Sequence, residues 1–169
     1  KKINKTVGYT GLFMTQTRLQ NRQYRLAMSR MLQDMDAGYF VTANFNRCTN
    51  ITAARNALKA WHARMDKALL GGSWSRKCDA ERTFFIGFAE HFDSNLHWHL
   101  MLRLGDKADR RVFEQKAATC WDKLVTSGCM DVKKIDTCDD TRRIANYVTK
   151  DLWHDEARNG FVVSTEFKT

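Results

Sequence analysis

The sequence contains no proline and no CxxC pair, and no apolar run in it approaches the length of a membrane span. Without proline, no proline-rich linker marks a domain boundary, so we expect residues 1–169 to form one domain. The five cysteines are odd in number and widely spaced, which argues against a structural zinc site and a complete disulfide framework and favours a reducing cytoplasm. No segment resembles a signal peptide, and no membrane partner is expected.

Acidic residues are outnumbered in this chain. It has 28 Lys and Arg against 19 Asp and Glu, a formal net charge of +9. A basic surplus favours a polyanionic partner, because each cation placed on a phosphate releases a condensed counterion. The alternative is a solvated basic surface without such a partner.

The spacing of apolar residues predicts the order of the elements. Helical spacing predicts helices over residues 17–35, 52–70, 107–127 and about 139–153, the last capped by Asp139 or Asp140. Alternation predicts strands over 39–46, 82–91, 96–104, 130–135 and 161–167.

From residue 39 to 135 this order is strand, helix, strand, strand, helix, strand, which is typical of an α+β, ferredoxin-like (split βαβ) fold. We therefore predict an antiparallel sheet with helices on one face and an open active-site face, preceded by a helical N-terminal extension over 1–37. Many unrelated functions use this fold, so the site has to carry the functional argument.

Two histidines lie two residues apart on the strand predicted over 96–104. Because side chains on a strand alternate, His97 and His99 point to the same face, away from the face of Trp98. Neighbouring imidazoles can bind one divalent cation. An isolated pair of this kind is explained equally well by two ordinary polar residues on a half-exposed strand.

The turn before this strand determines which side chain joins the histidines. A four-residue turn over 92–95 pairs Glu90 with His97 and puts the carboxylate on the histidines' face. A turn shorter by one residue would bring His91 there instead. We predict Glu90, His97 and His99 as the metal ligands, with His91 as the alternative third ligand; two histidines and a carboxylate leave positions open for a phosphate oxygen and water.

One tyrosine is placed to act as a nucleophile. Tyr147 lies at the margin of the apolar stripe of its predicted helix, and Lys150 follows three residues later on the same helix surface. A free phenol is protonated near pH 7, and a neighbouring ammonium would favour the phenolate. Tyr24 and Tyr39 are predicted to face the core, and of the four tyrosines only Tyr147 follows the histidine pair and lies beside a suitably spaced lysine, which makes it the best candidate. A boundary tyrosine on an ordinary amphipathic helix is the alternative.

Taken together, these motifs resemble the HUH endonuclease superfamily, specifically the single-tyrosine initiators of rolling-circle replication. The stretch FVTAN at 40–44 loosely resembles the family's first strand motif, HWH at 97–99 matches the metal motif, and YVTK at 147–150 resembles the catalytic Tyr-x-x-Lys motif. The histidines precede the tyrosine, as in replication initiators, and the similarity spans about residues 39–153.

The resemblance implies a metal-dependent single-stranded DNA endonuclease that nicks a replication origin through Tyr147. The products would be a 5′-phosphotyrosine link and a free 3′-hydroxyl that primes replication. Mg²⁺ or Mn²⁺ on the predicted ligands would polarise the scissile phosphate, and Lys150 would steady the phosphate or the phenolate. Contacts to DNA are expected from Thr42, Asn44, Arg103 and Arg143.

The expected partners are single-stranded DNA or an origin hairpin, a host polymerase, and a separate helicase, because no GxxxxGK phosphate loop occurs in the chain. The resemblance implies a cytoplasmic protein, or a nuclear one for a eukaryotic virus. Two other functions are open at this point. One is an HUH-type single-tyrosine transposase, which would cleave paired element ends rather than an origin. The other is a non-catalytic nucleic-acid-binding module of the same fold.

Overall fold

The structure of the protein is a computed structural model that describes residues 7–150, 152 and 160–167, with side chains described from Leu19 onward. The elements are α1 (Val7–Asp34), β1 (Tyr39–Asn44), α2 (Ile51–Leu70), β2 (Phe84–Glu90), β3 (His97–Arg103), α3 (Arg110–Asp122), β4 (Cys129–Lys134), α4 (Cys138–Val148) and β5 (Phe161–Val163). Short 3₁₀ helices occupy Trp74–Arg76 and Ser164–Phe167. The predicted α+β fold is confirmed.

The five strands form one antiparallel sheet in the order β4-β1-β3-β2-β5. The first four have the ferredoxin-like order, and β5 adds a short strand beside β2. The strand predicted over 161–167 is shorter in the structure, because after Val163 the chain turns into a 3₁₀ helix and the Val163 N–H donates to Glu166 Oε1 at 2.9 Å.

The main hydrophobic core lies between one face of the sheet and helices α2 and α3. Its largest fully buried side chains include Trp61, Trp98, Trp121, Phe85 and Phe113. Asn50 begins α2 by accepting a hydrogen bond from the Ala53 N–H, and Gly71 ends it at a φ of 79°, where a side chain would be strained. The core therefore holds the sheet from one side and fixes the strand register.

Helices α1 and α4 pack on the other face of the sheet, which the sequence predicted to be open. Met28 and Leu32 of α1 and Val148 of α4 form a second buried cluster with Phe88 and Met101 of the sheet. The prediction of helices on one face is corrected in this respect. The physical reason lies in β2, whose sequence FFIGFAE is apolar on both faces, so that both faces require cover.

The helix that carries the candidate nucleophile is shorter than predicted. Its cap is Thr137 rather than an aspartate: the Thr137 hydroxyl accepts from the Asp140 N–H at 3.0 Å, and the aspartates occupy the first turn, where they suit the helix dipole. The helix ends at Val148, and residue 153, its predicted end, lies outside the described residues. Lys150 belongs to the turn that follows.

Tyr24 was predicted to face the core but is 41% exposed. From Leu19 onward, the buried residues of α1 are Met28, Ser29 and Leu32, and residues 22–27 are all exposed. None of the described helices combines the length and apolar character needed for a membrane span.

Candidate metal and nucleophile site

The β2–β3 hairpin brings the predicted ligands together at one end of the sheet. Glu90 pairs with His97 in the observed register, so its carboxylate lies on the face of both histidines, as predicted. His91 turns away from the strand at a φ of 57° and is exposed, and its ring stacks on that of His97 at a centroid distance of 5.1 Å. Among the described residues, the third member of the cluster is Glu90.

The three side chains converge closely enough to share one ion. The Nε2 atoms of His97 and His99 are 3.1 Å apart, and Glu90 Oε2 lies 3.6 Å from His99 Nε2 and 3.9 Å from His97 Nε2. Ligands about 2.1 Å from a divalent cation stand roughly 3.0 to 3.4 Å from one another. A shift of a few tenths of an ångström in Glu90 would close the set, so the cluster could hold a metal ion.

Hydrogen bonds behind the histidines orient their rings. His97 Nδ1 lies 3.0 Å from the Asn95 carbonyl, which can only accept, so Nδ1 carries the proton and Nε2 presents a lone pair to the cluster. His99 Nδ1 lies 3.1 Å from Thr42 Oγ1, which can accept from it in the same way. Such outer partners fix the tautomer of metal-binding histidines.

The ionisation of Glu90 and His97 suits cation binding. Burial alone would raise the pKa of Glu90, but the hydrogen bond from His99 and the positive charges of His99 and Lys150 outweigh it and hold the pKa below its ordinary value. Burial lowers the pKa of His97, against the opposing hydrogen bond to the Asn95 carbonyl. Near pH 7 the cluster therefore offers a carboxylate and a neutral imidazole.

Tyr147 faces this cluster from α4. Its hydroxyl lies 3.5 Å from His99 Nε2, its ring meets the His99 ring edge-on at 5.3 Å, and the residue is 43% exposed. A side chain this exposed can be reached by a strand of DNA. Of the two exposed tyrosines in the described part of the chain, Tyr24 and Tyr147, the second is the one in contact with the histidines.

Lys150 joins the nucleophile candidate to the cluster. Its Nζ lies 3.4 Å from Glu90 Oε2 and 4.0 Å from the centre of the Tyr147 ring. Partial burial lowers the pKa of Lys150, but the Glu90 carboxylate and Tyr147 raise it more, and the net shift is upward. Lys150 is therefore an ammonium at this site rather than a base.

The four predicted DNA contacts are scattered. Thr42 is bonded to His99, and Asn44 pairs with His97 in the sheet, so both lie at the site. Arg103 stands at the far end of β3, where it packs over Phe84 and lines a separate cleft of about 380 Å³. Arg143 is exposed on α4 and paired with Asp140 at 2.7 Å. The structure does not bring Arg103 to the cluster, and all four contacts stay predictions.

Two residues outside the predicted ligand and nucleophile set also shape the site. The Phe40 ring stacks on the His99 ring at 5.4 Å with 17° between the planes, and the Asn95 carbonyl accepts from His97. The face of Phe40 was predictable from alternation, but its neighbour became known only with the β1–β3 register. Asn95 lies in a turn, whose carbonyl directions follow from no periodic pattern.

A scan against protein-family models, a search of curated proteins and a search of solved structures each found no match.

Proposed function

We propose that this protein is a metal-dependent endonuclease and strand transferase for single-stranded DNA, of the HUH replication-initiator type, with Tyr147 as the nucleophile. The observation that carries the proposal is the approach of the Tyr147 hydroxyl to within 3.5 Å of His99 Nε2, an atom of the metal-competent cluster. A nucleophile and a cation must both reach one phosphate, and the Tyr147 hydroxyl lies beside the atoms that could hold the cation.

The residues support an in-line transesterification. The Tyr147 oxygen attacks phosphorus and forms a P–O bond, its phenolic proton passing to water. The bond from phosphorus to the 3′-oxygen breaks, and that oxygen takes a proton from water. The products are a 5′-phosphotyrosine and a free 3′-hydroxyl, and attack by the hydroxyl reverses the reaction.

A divalent cation held by Glu90, His97 and His99 would neutralise the charge that develops on the phosphate oxygens. The two imidazoles suit Mn²⁺ better than Mg²⁺, which prefers oxygen ligands. Lys150 adds a positive charge between the carboxylate and the phenol. Thr42 and the Asn95 carbonyl hold the imidazoles in orientation.

A non-catalytic DNA-binding module has no need of this arrangement. Three acceptor atoms within 4 Å repel one another unless a proton or a metal ion lies among them. Binding DNA phosphates requires cations on the surface and does not require a half-buried carboxylate facing two histidines. Two imidazoles and a carboxylate that converge on one point can bind a divalent cation, which favours the catalytic function.

The proposal can be tested by covalent trapping. The protein is incubated with a pool of labelled single-stranded oligonucleotides and Mn²⁺, and denaturing gels and peptide mass spectrometry locate any adduct. We expect a DNA-linked protein whose modified peptide contains Tyr147, and no adduct in excess EDTA. An adduct on another residue, or undiminished cleavage in EDTA, would contradict the proposal.

A further inference from the structure

We infer that α1 binds the DNA phosphates that flank the cleaved one, through the exposed arginines Arg22 and Arg25. The inference rests on the proposed function and names a binding surface for its substrate. It addresses the N-terminal extension, which the motifs of the site leave without a role.

The N-terminal part of the chain, including most of α1, is positively charged. No Asp or Glu occurs before Asp34, whereas Lys and Arg occur seven times in residues 1–33, against a net charge of +9 for the whole chain. Residues 22–27 are all exposed, although α1 continues through them without a break. The exposed stretch 22–27 contains no acidic residue, so it presents positive charge to solvent.

Helices α1 and α4 run in opposite directions. Just after α1, the Gly38 carbonyl accepts from the Ile135 N–H, immediately before α4. Further back on α1, the Ser29 hydroxyl donates to Asn146 Oδ1 at 2.9 Å. Moving backward along α1 therefore means moving forward along α4, so the residues before Ser29 extend past Asn146, towards the end of α4 that carries Tyr147.

Helical register places both arginines on one side of α1. Arg25 and Arg22 precede Ser29 by four and seven residues, so all three share the flank of α1 that meets α4. At 1.5 Å per residue, the two arginines lie about 6 and 10 Å along the axis from the Ser29–Asn146 contact. Asn146 directly precedes Tyr147 in the chain, so both arginines lie on the side of this contact that faces Tyr147.

The two arginines also differ from those on α4. Arg142 and Arg143 are paired with Asp139 and Asp140 at 2.9 and 2.7 Å, which offsets their charge. No carboxylate within the described ranges pairs with Arg22 or Arg25. Charge complementarity therefore assigns the backbone of the substrate to α1.

The test compares two double variants of equal charge. Arg22→Gln/Arg25→Gln removes the proposed contacts, and Arg64→Gln/Arg111→Gln removes two exposed arginines from α2 and α3, on the opposite face of the sheet. Both are made in a Tyr147→Phe background. Fluorescence anisotropy then measures their binding to single-stranded DNA at salt concentrations from about 50 to about 300 mM. If the unmodified protein cleaves a sequence, the substrates carry that sequence with several extra nucleotides on one side or on the other. If it cleaves no sequence, the substrate is a mixed-sequence oligonucleotide of about 30 nucleotides, roughly twice the site size of a small domain.

We expect the α1 variant to bind several-fold more weakly than the control and to lower the slope of log affinity against log salt by about 1.4, which corresponds to two phosphate contacts at about 0.7 each. The loss should be larger for one of the two extensions. Equal slopes for the two variants would overturn the inference, whether or not the DNA is cut. Absence of any covalent adduct with the unmodified protein would contradict the proposed function separately, because anisotropy does not depend on cleavage.

Discussion

Two clusters in this molecule combine histidine, a carboxylate and a cation, and they have opposite characters. On α2, His62 and Asp66 meet Arg82 and Thr83 in a buried network; on the hairpin, Glu90, His97 and His99 meet Lys150. Asp66 accepts from Arg82 Nε at 2.7 Å and from the Thr83 hydroxyl and N–H at 2.6 and 3.0 Å. Both carboxylate oxygens of Asp66 therefore accept hydrogen bonds.

The hairpin cluster is unsaturated by comparison. His62 Nε2 donates to the Thr83 carbonyl at 3.0 Å, whereas the Nε2 atoms of His97 and His99 point at each other and at a carboxylate. A set of converging acceptors binds a cation, and a set of matched donors and acceptors stabilises a fold. The comparison shows that residue types alone do not identify a site; the direction of their lone pairs does.

The largest expected effect concerns the nucleophile. Tyr147→Phe keeps the ring that packs against His99 and removes the attacking oxygen, so adduct formation should fall by roughly a thousand-fold or more. The matched control is Tyr24→Phe, which alters the other exposed tyrosine among the side chains that the structure describes, and this variant should cleave as the unmodified protein does. Single-turnover cleavage assays measure both. Residual adduct at normal rates in Tyr147→Phe would assign the chemistry to another group.

The next effect separates the two clusters directly. His97→Ala removes a ligand and should weaken Mn²⁺ binding by more than about 100-fold, because loss of outer-sphere partners alone costs 10- to 100-fold. His62→Ala should leave Mn²⁺ binding unchanged and lower the free energy of unfolding by about 2–4 kcal/mol, since it leaves a cavity and an unpaired carbonyl. Calorimetric Mn²⁺ titration and urea denaturation of both variants give the two readings. Equal Mn²⁺ affinities would remove the distinction between the clusters.

A smaller effect is expected for the residue behind His99. Thr42→Val removes the hydroxyl that lies 3.1 Å from His99 Nδ1 and should weaken Mn²⁺ binding by about 10- to 100-fold. Thr42→Ser retains a hydroxyl and should restore most of the affinity. If valine and serine behave alike, Thr42 acts through packing and not through the imidazole.

The smallest effect is a pH dependence of stability from the buried network. Burial lowers the pKa of His62, against the opposing attraction of Asp66, so the folded protein binds fewer protons than the unfolded chain below about pH 6.5. Stability should therefore fall as the pH is lowered through this range, by at most about 1.4 kcal/mol per pH unit from this group. His62→Ala should show a shallower dependence than the unmodified protein in urea titrations from pH 7 to pH 5. An unchanged slope would mean that folding leaves the pKa of His62 where it is in the unfolded chain, and would contradict the effect of burial.

The sequence predicts the hairpin site well because its geometry is local. Alternation places His97 and His99 on one face, and a short turn limits which residue can oppose them, so Glu90 follows from counting. The packing of α1 and α4 on that face of the sheet was not predicted. Its signal is the apolar character of Phe84, Ile86 and Phe88 on the same face of β2, which indicates burial but not by which helix.

The direction in which the Tyr147 side chain points could be predicted only in part. Helical spacing predicts that Ile144, Val148 and Leu152 are buried. Val148 and Leu152 are buried as predicted, but Ala145 is buried in place of Ile144, which is partly exposed. This small rotation turns Tyr147 towards His99. It depends on how α4 packs against α1 and the sheet, which involves residues more than a hundred positions apart and cannot be derived from a local pattern.

The central claim is that one phosphate contacts both the cation and the phenol. A crystal structure of the Tyr147→Phe protein with Mn²⁺ and bound single-stranded DNA tests it most directly. The account predicts Mn²⁺ on Glu90, His97 and His99, with an oxygen of a single phosphate completing its ligands and the phosphorus within about 4 Å of the position of the missing hydroxyl, a near-attack distance. Mn²⁺ bound elsewhere, or the nearest phosphate held away from residue 147, would contradict it.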